Sequence, residues 1–327
     1  MTQGFLKPIE KALKNREEIL KVFQTEKTDC FRLFNGEREG IAGFVVEIYG
    51  SLLVFQWHEG KFDLDVSAME AIAQFYGNSL GIKSVYLKRF ISDRSTTTAD
   101  QSYYLNRPLW GAESEPSIVC FEKGMKLEIH PYEGFSTGIF LDQRNNREFL
   151  RRSFKNKEVL NCFAYTCAFS LACALGENKV TSVDLSKKYL DWGKRNFILN
   201  GMPPEKNSFY AIDVFEQFKR AKKLGKSYDL IILDPPSFSR NQQGKVFSVK
   251  KDMKNLISES CDILNSRGTL FVSSNLASWD STELKKLVLD ELNEKKIKVE
   301  CLNLPSVPSD FLGVEIPLAA CAFRKMA

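Results

Sequence analysis

The stretch DLIILDPPSFSR, Asp229–Arg240, carries an apolar run into a carboxylate, two prolines, a serine and an aromatic ring. Pro235 and Pro236 fix their own φ angles, restrict the residues before them and remove two N–H donors. Carbonyls of such a turn can face a ligand. Asp234 can accept hydrogen bonds, and Phe238 can stack on a flat ring. A proline-stiffened loop that binds nothing has the same composition. Three other places have the right residue types. NCFAYTCAFS, Asn161–Ser170, joins a strand signal to a helix signal through small residues, and a helix N-terminus offers free amides. It is not a GxGxxG fingerprint. Asp184 ends VTSVDLS, 23 residues beyond Asn161, where a carboxylate can take both hydroxyls of a ribose. Asp184 or Ser186 can equally cap the helix that begins near Lys187. Asp213 follows SFYAI and can accept from an adenine amine with Val214 or Phe215 beside the ring, or cap a helix in turn.

These groups need a scaffold. From residue 118 onward strand and helix signals alternate: Val159–Cys162, Lys179–Asp184, Ser208–Ile212, Tyr228–Leu233 and Thr269–Ser273 as strands. Helices are expected over Gln143–Ser153, Thr166–Leu175, Lys187–Asn200, Val214–Leu224, Asp252–Leu264 and Ser281–Leu292. Strands around Val299–Leu302 and Leu318–Phe323 close the chain. This alternation implies a mostly parallel sheet covered on both faces, with ligands at the carboxyl ends of its strands. All four candidate places fall at such ends. Ahead of it, residues 1–117 read as a small mixed α/β domain. It has one polar helix over 5–24, a hairpin of Gly43–Ile48 and Ser51–Trp57 about Tyr49-Gly50, a helix over 64–77, a strand at Ser84–Lys88 and an irregular stretch from Ser92 to Ser117. The expected domains are therefore 1–117 and 118–327.

Composition sets outer bounds. With 43% hydrophobic residues, 25 Phe, 10 Tyr and 4 Trp, the 327-residue chain can build a real core and is no disordered or fibrous protein. The formal charge of +5 permits a nucleic-acid partner without demanding one. No apolar run suits a membrane span and the first residues lack a signal-peptide core, so a cytoplasmic protein is expected. Eight cysteines without CxxC pairs, and only two histidines, point to reduced, mostly buried thiols and no zinc site.

With these places assembled, the chain resembles the class I S-adenosylmethionine-dependent methyltransferases, and more narrowly the bacterial family that methylates large-subunit ribosomal RNA. Thr137–Arg147 matches that family's TGxFLDQRxNR segment, Asn161–Ser170 its NxFAYTGxFS and Leu233–Ser239 its LDPPxFS. RLFNGEREGIAGFVVEIYG resembles the R-x-x-x-GExDGxPGxxxDxYG segment of the smaller domain. The likeness covers about residues 30–325. It implies a Rossmann-like α/β fold with a mostly parallel twisted sheet, and S-adenosylmethionine as cofactor. Asp184, with Leu185 beside it, should hold the ribose. Asp213 and Val214 should meet the adenine. Asn161, Phe163, Ala164, Tyr165 and Thr166 should line the methionine portion. Gln143, Arg144, Arg147 and Asp234 should frame the site. Arg144 can grip the cofactor carboxylate through two parallel bonds, or form an ion pair on a surface helix. The implied partner is 23S ribosomal RNA, free or in a precursor particle, and neither DNA nor membrane. Two departures stand out. Cys167 replaces the usual glycine, where the small thiol could fit without loss of function or narrow the methionine pocket. Only about 30 residues precede the likeness, so the family's N-terminal PUA-type RNA-binding module is expected to be absent. Lys88-Arg89, Arg151-Arg152 and Lys250-Lys251 are then candidate phosphate contacts, or plain solvated surface.

The strand after the DPP turn, GTLFVSSNLASW, bears on the methyl acceptor. Family members that methylate cytosine carbon 5 carry a cysteine where Ser274 stands. That carbon is a poor nucleophile until a thiolate adds to carbon 6, and serine without a strong base is a weak substitute. Guanine N7 already bears an in-plane lone pair and needs positioning alone. Guanine-N7 methyltransferases of large-subunit ribosomal RNA resemble the chain through LDPPxFS and a polar Ser-Asn pair without cysteine, kept here as Ser274-Asn275 one residue out of register. Guanine N7 is therefore the expected acceptor, with Asp234, the Pro235 carbonyl, Phe238, Ser274 and Asn275 around the base. Cytosine carbon 5, served by a thiol such as Cys261, and an RNA-binding protein with a weakened site are the alternatives. The ring sits one residue further along than in the Asp/Asn-Pro-Pro-Tyr/Phe turn of amino methyltransferases, which argues against an exocyclic amine.

Overall fold

A computed structural model describes residues 3–58, 65–90, 107–132, 136–240, 246–276, 278–311 and 318–327. The chain divides into two compact units, one of residues 1–141 with 308–315, the other of 142–307 with 316–327.

The second unit is a seven-stranded sheet. Its strands are β1 (Glu158–Cys162), β2 (Lys179–Asp184), β3 (Ser208–Ala211), β4 (Tyr228–Leu233), β5 (Leu264–Ser274), β6 (Val299–Leu302) and β7 (Ala319–Lys325). They lie in the order β3-β2-β1-β4-β5-β7-β6. Strands β1 to β5 pair in parallel, while β7 runs antiparallel to both β5 and β6. The central strands are apolar on both faces, as a doubly covered sheet demands: Val159, Leu160, Leu230, Ile231, Ile232 and Leu233 are all buried. The helices are α1 (Arg144–Ser153), α2 (Ala168–Leu175), α3 (Lys187–Leu199), α4 (Val214–Lys223), α5 (Val249–Cys261) and α6 (Ser281–Glu294). The order reverses between β1 and β4, so the loops leaving those two strands diverge and open a crevice at their carboxyl ends.

The first unit has a sheet ordered Cys30–Asn35, Phe44–Tyr49, Leu52–His58, Ser84–Phe90 and Trp110–Gly111. The helix Val66–Leu80 crosses between the parallel strands Leu52–His58 and Ser84–Phe90 and buries Met69, Ile72, Ala73 and Tyr76 against a core that includes Phe34, Phe44 and Phe55. At Gly77 a Cβ would lie 2.3 Å from the Trp110 ring, so only glycine lets that ring lie on the helix.

Several sequence expectations need correction. The N-terminal helix is two, Gln3–Asn15 and Glu17–Thr25, parted at Arg16, whose guanidinium bonds Ala12 O and the Glu39 carboxylate. The strand Cys30–Asn35 escaped notice because its polar Arg32 and Asn35 break the apolar run. Helix α5 runs three residues earlier than expected, and β5 begins at Leu264 rather than Thr269. The division does not fall at 117. The hairpin Ile118–Glu122 and Met125–Ile129 belongs to the first unit, because Phe121 N donates to Asp29 Oδ1, Asp29 N to Phe121 O and Lys123 N to Thr28 Oγ1. Ser309–Phe311 joins it too: Asp310 accepts from Arg32 N and Asn35 Nδ2, and the Arg32 guanidinium lies 4.2 Å from the Phe311 ring centroid. Most of the expected loop Ser92–Ser117 lies outside the described residues. Among the described residues no helix is long and apolar enough to cross a membrane.

Candidate active site

The loop after β1 is shaped by backbone strain. Phe163, Tyr165 and Cys167 have φ of 57°, 48° and 63°, so three non-glycine residues in five adopt the left-handed conformation. Each costs about 1–2 kcal/mol. Hydrogen bonds hold the loop: Ala164 N donates to Val183 O, Tyr165 N to Asp184 Oδ2 and Cys167 N to Ala164 O. Thr166 is buried, and its carbonyl accepts from Asn196 Nδ2 on α3. The left-handed angle at 167 explains why glycine suits this place. The Cys167 side chain packs against α3: a Cβ on Gly193 would meet Cys167 Sγ at 2.4 Å. The thiol packs beneath α3 and also reaches Tyr165 O at 3.7 Å, and burial pushes it up to about 12.

Asn161 sits on β1, buried, with Nδ2 donating to Ser170 Oγ at 2.8 Å, and Ser182 Oγ donates to the same hydroxyl. Among the described residues its Oδ1 accepts from no protein group, although buried acceptors are almost always satisfied. At the end of β2, Asp184 accepts from Tyr165 N through Oδ2 and from Ser186 N through Oδ1. One lone pair on each oxygen remains for hydroxyl donors. Burial raises its carboxyl above the ordinary value, and the two amides oppose that rise. Ser186 is the cap of α3, accepting from Tyr189 N, so capping does not account for Asp184. Leu185 follows, half-buried. Asp213 does cap α4, through Phe215 N at 2.9 Å, and Val214 is buried behind it.

Helix α1 turns a polar face inward. Arg144 and Arg147, one turn apart, are both buried, so a surface ion pair does not describe Arg144. The Arg147 guanidinium lies 5.8 Å from the Phe169 ring centroid. Gln143, at the head of the helix, accepts from Asn146 Nδ2 and donates to Asp234 Oδ1 at 3.2 Å.

Asp234 is thus fixed from two sides, because Ser273 Oγ donates to the same Oδ1 at 2.6 Å. Withdrawal from water raises its carboxyl to about 6; Ser273, Gln143 and the Arg147 charge oppose this, and the Asp142 charge adds to it. Sequence reasoning missed this clamp. It singled out Ser274, but successive strand residues face opposite ways, and Ser273 is the one that faces Asp234. Ser274 is buried, and its Oγ accepts from Leu276 N. Asn275 is exposed, and its Oδ1 accepts from Ser237 Oγ at 2.9 Å, which ties the end of β5 to the DPPS turn. Pro235 is buried, whereas Phe238 is 58% exposed. Phe238 opens a short hairpin, Phe238–Arg240 paired with Val246–Ser248, that the sequence did not announce. Alternation over three residues is too short to read.

The eight cysteines all lie within the described residues, seven buried and Cys301 exposed on the edge strand β6. Cys162 ends β1, but its thiol lies in the apolar core and burial raises it strongly. Cys261 ends α5, which runs from the hairpin down to the start of β5. It therefore lies at the amino edge of the sheet, away from Asp234, and burial raises it to about 11. No group of metal-ligating side chains occurs among the described residues.

The strand order and the loops after β1, β2, β3 and β4 define a Rossmann-like class I methyltransferase scaffold. A family model described as S-adenosylmethionine-dependent methyltransferase matches residues 109–315. The Bacillus subtilis (strain 168) protein provisionally named ribosomal RNA large subunit methyltransferase YwbD is 35% identical over 310 residues, 92% of this chain and 74% of its own. Ribosomal RNA large subunit methyltransferase K of Neisseria meningitidis serogroup B (strain ATCC BAA-335 / MC58) is 37% identical over 201 residues, 61% of this chain and 54% of its own. The chain thus spans about half of that relative's length. Among solved structures, SMU.776, a provisionally assigned methyltransferase complexed with SAH, superposes with a TM-score of 0.85 at 30% identity, covering 99% of this chain and 81% of its own. The chain belongs to the S-adenosylmethionine-dependent methyltransferase family, and S-adenosylmethionine is its cofactor. The residues present fit that group. A buried acceptor without a donor at Asn161, a carboxylate with spare lone pairs at Asp184 and buried arginines on α1 are the chemistry an ammonium, a ribose diol and a carboxylate require.

Proposed function

We propose that the protein methylates large-subunit ribosomal RNA, at guanine N7, without a thiol nucleophile. The names of the curated relatives support the RNA class. The single observation that carries the acceptor is the rim between β4 and β5. There the side chains are Asp234, Ser237, Phe238, Ser273 and Asn275, and the cysteines are buried in the core or lie elsewhere in the chain. S-adenosylmethionine, when bound, supplies a methyl group on a positive sulfonium centre. The loop after β1 and Asp184 would hold it, with Asn161 Oδ1 accepting a hydrogen bond from its ammonium, Arg144 available to its carboxylate, and Asp213 and Val214 available to its adenine.

Phe238 offers a ring on which a guanine drawn out of its stack can rest. The Ser237–Asn275 link and the proline pair hold the turn rigid. Asp234, held by Ser273 and Gln143, fixes the turn's first residue, and the Pro235 carbonyl is left to orient the base edge. Such a site acts by positioning and by excluding water. Cytosine carbon 5 would need a thiolate at this rim; Ser274 cannot replace it, because its hydroxyl is buried and engaged by Leu276 N. The smaller unit is proposed to add RNA contacts. The test is transfer of labelled methyl from S-adenosylmethionine into large-subunit and small-subunit ribosomal RNA transcribed in vitro. Label in the large-subunit RNA alone is expected. Equal label in both, or none, would overturn the substrate assignment.

A further inference from the structure

The hairpin that carries Phe238 touches the loop assigned to the cofactor. In its register Phe238 faces Ser248, Ser239 faces Phe247 and Arg240 faces Val246. Neighbouring positions on a strand point to opposite faces, so Phe238 and Phe247 lie on opposite sides of this two-stranded arm. On one side Phe238 is exposed. On the other, the Phe247 ring stands 5.3 Å from the ring of Phe163, and both pack on the edge of the main core.

An arm of three residue pairs is marginal by itself. Its base is pinned: Val249 N donates to Ser237 O, Ser237 Oγ to Asn275 Oδ1 and Ser248 N to Asp252 Oδ2. One pair further out, the ring contact with Phe163 is what orients it. Phe163 itself holds a left-handed backbone angle, in a loop with two more. Such a conformation persists only when its surroundings over-determine it. A ligand contact that added to this over-determination would also hold the Phe163 ring against Phe247.

We propose that the Phe163–Phe247 contact couples the cofactor loop to the acceptor arm, and that Phe247 is a positioning residue through which cofactor binding fixes the arm bearing Phe238. Cofactor binding then favours the completed acceptor surface, and by reciprocity RNA bound to the arm tightens the cofactor. This rests on the assignment of the Phe163–Thr166 loop to the cofactor.

Hydrogen exchange on the full chain, with and without saturating S-adenosylhomocysteine, tests it without any RNA. Protection is expected to rise about fivefold or more both in residues 163–166 and in the arm strands 238–240 and 246–248. In Phe247→Ala the loop should still gain protection while the arm gains less than about twofold. Phe247→Tyr should restore the response. A thermal melt of each variant separates lost coupling from lost folding, and Phe247→Leu serves if the alanine variant does not fold. Protection of the loop with an unmoved arm in the unmodified protein would overturn the coupling. No protection of the loop would overturn the cofactor assignment itself. A Phe247→Ala arm that responds like the unmodified protein would remove Phe247 from the path.

Discussion

Cys167 and Gly193 are a matched pair. The first holds a left-handed backbone angle at the start of α2, and the second leaves room on α3 for its thiol, since a Cβ at 193 would lie 2.4 Å from Cys167 Sγ and 2.7 Å from its Cβ. Gly193→Ala is expected to lower stability by about 1–3 kcal/mol through overpacking. Cys167→Gly relieves a strained angle and loses a buried thiol, so its own effect should stay within about 1 kcal/mol. In the double variant the clash with residue 167 is gone, and only a tight 3.2 Å approach to Thr166 O remains. Urea unfolding of the four proteins should therefore show the alanine costing about 1 kcal/mol or more less in the Cys167→Gly background. Simple additivity would contradict the pairing.

Asp234 gives the site a pH limb. Its folded value, about 6, lies above the ordinary 3.8, chiefly because it is withdrawn from water. The folded protein therefore holds this proton more tightly than the unfolded chain. The stability that this gives is present in full below the ordinary value and is lost as pH rises to about 6. Activity runs the other way. Ser273 and Gln143 both donate to Asp234 Oδ1, and such bonds are stronger to a charged acceptor, so the carboxylate is the form that holds the clamp more tightly. Methyl transfer is expected to fall as pH drops below about 6. Asp234→Asn should be slower throughout and lack that limb. A rate profile over roughly pH 5 to 8 on both proteins reads it, and an unchanged limb in the variant would assign it to another group.

Asn161 should matter to the cofactor more than to the fold. Its Oδ1 is buried and accepts from no protein group among the described residues, while its amide nitrogen serves Ser170. Asn161→Ala is expected to weaken S-adenosylhomocysteine binding by about tenfold or more, the worth of one hydrogen bond to a charged group. Titration calorimetry measures it. Affinity unchanged in a folded variant would remove Asn161 from the cofactor site.

Phe238 should act on the other substrate. Replacing an exposed ring with alanine removes base stacking worth about 1–3 kcal/mol. Phe238→Ala is therefore expected to raise the KM for RNA by about tenfold or more while S-adenosylhomocysteine binds as before. A change in cofactor affinity without one in RNA KM would place the ring elsewhere.

Much of this was legible in the sequence because strand period, helix period and turn residues agree there. Lys179–Asp184 and Tyr228–Leu233 were read to the residue, since each is a buried run that ends in an acidic group or a turn. Asp184 and Asp234 stand out as candidates because carboxylates ending apolar strands are conspicuous. What stayed hidden depends on direction and distance. Ser273 and Ser274 look alike in sequence, and only strand register decides which faces Asp234. Gln143 and Asp234 are 91 positions apart. The hairpin at Phe238 is too short for periodicity to show. The small unit takes in the hairpin 118–129 and the distant segment 308–315, which no local pattern reveals.

The most direct measurement identifies the methylated nucleoside. The purified protein would be incubated with labelled S-adenosylmethionine and ribosomal RNA from cells lacking its gene, and the RNA digested and resolved. The account predicts label in 7-methylguanosine, made at a rim that holds no thiol. Label in 5-methylcytidine would contradict it and require a thiolate where the structure puts Ser274 and Asn275.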